Sequence, residues 1–117
     1  MKTERFNQII NTQLGSCKDI LQYKAKEYAT EDRLHNFRVA ASLQGVPAKN
    51  ALSGMMAKHT VSIYDMCGSE ESFSQELWDE KITDSINYLL LLRALVQEDE
   101  LDKVDVHIPE DPRESLA

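Results

Sequence analysis

The sequence predicts an all-α domain of four helices, bundle-like and completed by association between copies. Three observations carry this. Apolar residues recur at three- and four-residue steps over most of the first 97 positions. Gly and Pro number only 4 and 3 in 117 residues, too few for the turns of a sheet-rich fold. The last periodic segment is apolar on nearly every side, which suits a helix at a bundle centre or one shared with a second subunit. The length fits a single domain, and a domain this small buries a modest core, so association would help it.

The first helix is expected over residues 3 to about 28. Phe6, Ile9, Ile10, Leu14, Cys17, Ile20, Leu21, Lys24 and Tyr28 share its stripe, with Thr3 as N-cap and Gly15 as a weak point. Thr30-Glu31-Asp32 breaks the pattern, and Thr30 or Asp32 can cap a short helix over 33–44. Its apolar set is Leu34, Phe37, Ala40, Ala41 and Leu43. Gly45 suits the position just past that helix, and Pro47 the first turn of the next. The third helix, 48–67, has a broad face of Leu52, Met55, Met56, His59, Ile63, Met66 and Cys67. Its narrow face carries Gly54, Lys58, Val61 and Asp65. A fourth helix is expected over 74–97, where Ser72 with Gln75 fits a capping box. Residues 98–117, rich in Asp and Glu and holding Pro109 and Pro112, read as a mobile acidic tail. Within it Val104, Val106 and Ile108 alternate as in an extended segment.

The net charge is −7 and the pI about 4.9, which argues against nucleic acid as a partner. Much of that charge lies in the tail, so the helical body is closer to neutral. Cys17 and Cys67 stand outside any CxxC and read as reduced thiols packed as small apolar groups. No apolar run is long enough for a signal or membrane segment, so the chain is expected in the cytoplasm, without a membrane partner. P-loop, GxGxxG, HExxH and GxSxG motifs are all absent.

Polar groups within the apolar pattern mark the candidate site. Leu77, Asp84, Tyr88, Leu91 and Leu95 share one stripe of the fourth helix, and Glu80, Asp84, Asn87 and Leu91 share the adjacent one. Asp84 belongs to both. A carboxylate on a buried stripe is costly unless paired or bound to a cation, and Glu80 and Asp84, one turn apart, can share Mg²⁺. If the third and fourth helices are antiparallel neighbours, Asp65 falls near this pair and Lys58 lies farther along, able to meet a phosphate. The structural alternative is a buried bridge from Lys58 to Asp84 or Asp65. His59 and the methionines of the broad face read as packing groups.

Three blocks, EYATEDRLHNFRVAA (27–41), GMMAKHTVSIYDM (54–66) and DEKITDSINYLLLLRAL (79–95), resemble the small phage-type members of the MazG-like, all-α NTP pyrophosphohydrolase superfamily. The resemblance implies a four-helix fold assembled as a homodimer or homotetramer. It also implies Mg²⁺-dependent splitting of a nucleoside triphosphate into the monophosphate and pyrophosphate. The family's acidic signature, ExxE then ExxD, aligns with Ser62-x-x-Asp65 and Lys81-x-x-Asp84. Asp65 and Asp84 match, Ser62 and Lys81 do not, and Glu80 stands one position early. On this reading Asp65, Glu80 and Asp84 hold Mg²⁺, Glu80 and Asp84 serve the chemistry, and Lys58, Asn36 and Asn87 bind the nucleotide. A two-metal site is under-supplied with carboxylates unless Glu27, Glu31 or Asp32 reaches in. The rival expectation is a non-catalytic oligomeric helical protein acting as a structural or regulatory interaction module.

Overall fold

In the computed structural model the chain folds as four helices, and the description covers residues 1–27 and 32–106, with side chains for 1–22 and 32–99. The helices are α1 (Thr3–Glu27), α2 (His35–Gln44), α3 (Ala48–Gly68) and α4 (Gln75–Val106), and no strand occurs among the described residues. α4 spans 32 residues, about 48 Å at the helical rise, and so accounts for most of the 54 Å long axis.

Local chemistry explains most of the helix ends. Asp32 accepts the Leu34 N–H through Oδ1 (2.9 Å) and the His35 N–H through its carbonyl (3.2 Å), so it organises the turn that launches α2 two residues later than expected. Thr30 lies outside the described residues. Gly45 closes α2 in the left-handed conformation (φ 68°), where a Cβ would be strained. Pro47 stands just before α3 in an extended conformation, and its carbonyl accepts the Asn50 and Ala51 N–H groups. At α4 the cap is Ser74, whose hydroxyl accepts the Leu77 N–H (3.1 Å), rather than Ser72. A serine cap needs only the free N–H of the third helical residue, and no reciprocal Glu or Gln. α1 begins at Thr3 itself, with Lys2 supplying the first carbonyl to Phe6, and Gly15 leaves it unbroken.

Two expectations are corrected. α4 runs nine residues past Gln97, so residues 98–106 are helical rather than a tail, and Val104 and Val106 are not in an extended segment. Arg38 of α2 holds the start of this extension, bonding Glu98 (2.9 Å) and Asp99 (3.1 Å). Residues 107–117 lie outside the described residues. The second correction is Cys67, which is exposed rather than packed, whereas Cys17 is buried; both thiols are free.

The core joins α2, α3 and α4. Leu34, Phe37, Ala41, Ala48, Ala51, Leu52 and Leu95 form it, with Leu52 and Leu95 fully enclosed, and Tyr88, Leu91 and Leu92 pack at its edge. The short loop at 69–74 turns α3 back along α4, and the two run antiparallel, with His59 stacked on Tyr88. α1 packs on α4 and lies parallel to it. Gln13 reaches Thr83 (2.8 Å), and eight residues on in each helix Leu21 and Leu91 line the same cleft. No described helix is long and apolar enough to cross a membrane.

Candidate functional site

The site develops where α4 passes between α1 and α3. Helical geometry turns Thr83, Asp84, Asn87 and Leu91 of α4 towards α1, while Tyr88, one residue on, meets His59 of α3. The turn before α2 brings Arg33 to the same place. Together Ile20, Leu21, Arg33, His59, Asp84, Asn87, Tyr88 and Leu91 enclose an open cleft of about 240 Å³. That lies just under the ~300–1,000 Å³ of common ligand pockets, so part of a nucleotide fits within it and the rest must lie at its mouth.

Each polar group in the cleft has a physical role. Arg33 donates from Nη2 to the Leu21 carbonyl (3.0 Å), which fixes the guanidinium against α1, and its other N–H groups make no further hydrogen bond to the described residues. Asp84 is half-buried on the cleft wall and forms no ion pair with Arg33 or Lys58. The His59 and Tyr88 rings lie 4.9 Å apart at 38° and make one flat wall. Asn87 is 6% exposed, and neither its Nδ2 nor its Oδ1 has a hydrogen-bond partner. A buried polar group left unpaired costs about 1–3 kcal/mol, so this amide is an expense of the fold that its packing does not offset. Ser85 Oγ is likewise unpartnered. It sits two residues before Asn87, hence on the opposite side of α4. Beyond the cleft, Gln13 donates to Thr83 Oγ1 and to the Cys17 sulfur (3.5 Å), giving α1 a polar anchor on α4.

The expected site residues separate into two groups. Asp84 and Asn87 meet in the cleft. Lys58, Asp65, Glu80 and Asn36 are exposed and do not line it. The reason is the orientation of α3, which turns its Met and His face to α4 and its Lys58 and Asp65 face to solvent. Gly54 on that outer face has nothing within 4 Å of where a Cβ would stand, so no described segment packs closely against it. The bridge from Lys58 to Asp84 or Asp65 is not formed; the ion pairs among the described residues both belong to Arg38. Nor do three His, Cys, Asp or Glu side chains gather as a metal cage among the described residues, so Asp65, Glu80 and Asp84 do not converge within one chain. Asp32 is exposed and engaged with the α2 turn, and the side chains of Glu27 and Glu31 lie outside those described.

Sequence patterns missed Arg33, His59 and Tyr88 as cleft residues. Arg33 carried no periodic signal, because it stands in a turn. His59 was legible only as a member of the broad α3 face, and that face proved to be the one looking at α4. No family model matches the chain, and the comparisons with curated proteins and with solved structures likewise return no match.

Proposed function

We propose that the cleft binds a nucleoside triphosphate and, with Mg²⁺, that the chain splits it into the monophosphate and pyrophosphate, in the manner of the MazG-like proteins its sequence blocks resemble. The observation that carries this reading is the convergence of Arg33, Asp84, Asn87 and the stacked His59–Tyr88 pair on one cleft. The parts suit the ligand. A guanidinium pairs with phosphate oxygens in a fixed fork, flat rings accept a base, and an amide can contact base or sugar. Asp84 is the one carboxylate on the cleft wall among the described residues. That supply suits Mg²⁺, which commonly takes one or two carboxylates and completes its shell with phosphate oxygens and water. Bound there, the ion would offset phosphate charge during cleavage. Arg33 would hold the phosphates and Asp84 the ion, while Leu21 and Leu91 keep water from the inner end. Two free thiols agree with a reducing, cytoplasmic setting.

The test is binding and hydrolysis of a nucleotide panel with and without Mg²⁺, repeated with Asp84→Ala and Arg33→Ala. Mg²⁺-dependent binding or turnover that both substitutions reduce at least ~10-fold, equivalent to ~1.4 kcal/mol, supports the reading. A wild-type chain that neither binds nor cleaves any nucleotide rejects it.

A separate observation favours the second reading, a non-catalytic oligomer serving as a structural or regulatory module. Phe6, Ile9, Ile10 and Leu14 of α1, with Ile82, Leu89, Leu90 and Val96 of α4, are exposed in the single chain. Apolar faces of this extent support a homodimer or homotetramer. Thermal melting separates the readings: a Mg²⁺ and nucleotide site raises the melting temperature by mass action, and a purely structural oligomer shows no such rise.

A further inference from the structure

We propose that the Asn87 side chain selects among bases, by hydrogen-bonding the edge of a planar heterocycle that presents a donor beside an acceptor. This rests on the reading of the cleft as a nucleotide site, and deepens it. The starting point is the unpartnered amide: Asn87 is more than nine-tenths buried, lines the cleft, and leaves both Nδ2 and Oδ1 unbonded.

The ligand's chemistry follows by matching those two atoms. The amide offers a donor and an acceptor side by side in one plane. A phosphate accepts only, so it would satisfy Nδ2 and set its own lone pairs against Oδ1. A metal ion would take Oδ1 and leave Nδ2 unbonded. A single sugar hydroxyl cannot meet both atoms in their plane, and a ribose diol, which can, would hold every ribonucleotide alike and produce no ranking of bases. The edge of a nucleobase carries an adjacent donor and acceptor at the matching spacing, and Asn pairs with such an edge through two bonds. The surroundings agree. Ile20, Leu21 and Leu91 are apolar and suit a base face, and the His59–Tyr88 stack supplies an aromatic wall. Both amide atoms are closed to solvent in the structure, so an entering base reaches them by displacing the side chains that cover them. Water is then absent from the contact, and a base with the wrong edge leaves the amide unpaired, which is the condition for strong discrimination. Arg33 and Asp84, assigned to phosphate and ion, carry no such information about the base.

The experiment titrates the full chain with the four common nucleoside triphosphates, the unphosphorylated nucleosides and inorganic triphosphate, with Mg²⁺ present. Wild type is compared with Asn87→Asp and Asn87→Leu, and circular dichroism checks the fold. The expected result is a preference of about tenfold or more among bases in the wild type, re-ordered by Asn87→Asp and flattened by Asn87→Leu. Inorganic triphosphate should bind wild type and Asn87→Leu within about twofold, a difference of only a few tenths of a kcal/mol. The carboxylate of Asn87→Asp, in the same cleft as Asp84, shifts all phosphate ligands together, so that variant is read only by its ranking of the bases. If Asn87→Leu does not fold, the near-isosteric Asn87→Asp decides the matter alone. An unchanged base ranking in Asn87→Asp, or an equal loss in Asn87→Leu for every ligand including inorganic triphosphate, overturns the assignment of Asn87 while leaving the nucleotide site standing. Absence of any nucleotide binding by the wild type overturns both.

Discussion

At the scale of single residues, three side chains separate the packed core from the proposed site. Leu52 is fully enclosed in the apolar cluster at the meeting of α2, α3 and α4, and belongs to stability. Leu52→Ala is expected to cost about 2–5 kcal/mol in urea denaturation, the range for a large-to-small change in a closed core. Asp84 and Asn87 are the opposite case: Asp84 is a half-buried carboxylate on the cleft wall, and the buried Asn87 amide has no hydrogen-bond partner. Asp84 was legible from the sequence for a simple physical reason: one charge on two apolar stripes is conspicuous at helical spacing. Asn87 shared one of those stripes and was legible for the same reason. Lys58, Asp65 and Glu80 were misplaced because spacing shows which residues share a face, and not which face meets a neighbour. Either face of α3 could have met α4 on periodicity alone. The structure chose the Met55, Met56 and His59 face, because burying those groups removes more apolar area from water than burying Lys58 and Asp65.

At the scale of elements, the helices themselves were read closely, since amphipathic periodicity and the Gly45 and Pro47 signals are local properties of the chain. The extension of α4 was not. Glu98 and Asp99 look like the start of an acidic tail in sequence, and only the approach of Arg38 from α2, sixty positions away, shows that they have a partner. Partial burial opposes the Arg38 charge, but hydrogen bonds to Asp99 and Glu98, and their charges, more than offset it and raise its pKa above the usual arginine value. A raised basic pKa stabilises the fold below the arginine's own range, so while both carboxylates are charged this contribution is constant through neutrality, and it is lost as the guanidinium gives up its proton in strong alkali. All three side chains are partly exposed, so the pairs are worth at most about 1 kcal/mol each. Arg38→Ala should therefore barely move the melting temperature. Its effect should be local: amide hydrogens of 99–106 should exchange severalfold faster, and added salt should reproduce part of that change in the wild type. Unaltered exchange in that stretch would show that the extension stands without the clamp.

At the scale of the whole molecule, the described residues of one chain leave a set of large apolar side chains uncovered, which supports the proposed association between copies. The α1 stripe from Phe6 to Leu14 and the α4 residues Ile82, Leu89 and Val96 are open to solvent in the monomer. The fourth helix was expected to be apolar nearly all round, and so central to the bundle or shared with another subunit; its Leu92 and Leu95 side does form the core while its Leu89 side faces outwards. Leu89→Arg and Val96→Arg alter residues that the single chain does not bury. They should leave the circular dichroism spectrum intact and shift sedimentation from an assembled species to the monomer. A wild-type chain that sediments as a monomer at micromolar concentration would remove this face as an interface between copies.

The central claim is that the cleft between α1, α3 and α4 is a nucleotide site centred on Asp84. Its most direct test is a titration of the ¹⁵N-labelled chain with nucleoside triphosphate and Mg²⁺, followed residue by residue in amide spectra. The expected result is a saturable perturbation concentrated at Leu21, Arg33, His59, Asp84, Asn87 and Tyr88, lost in Asp84→Ala while the rest of the spectrum is retained. No perturbation, or one confined to the outer face around Lys58 and Asp65, would contradict it.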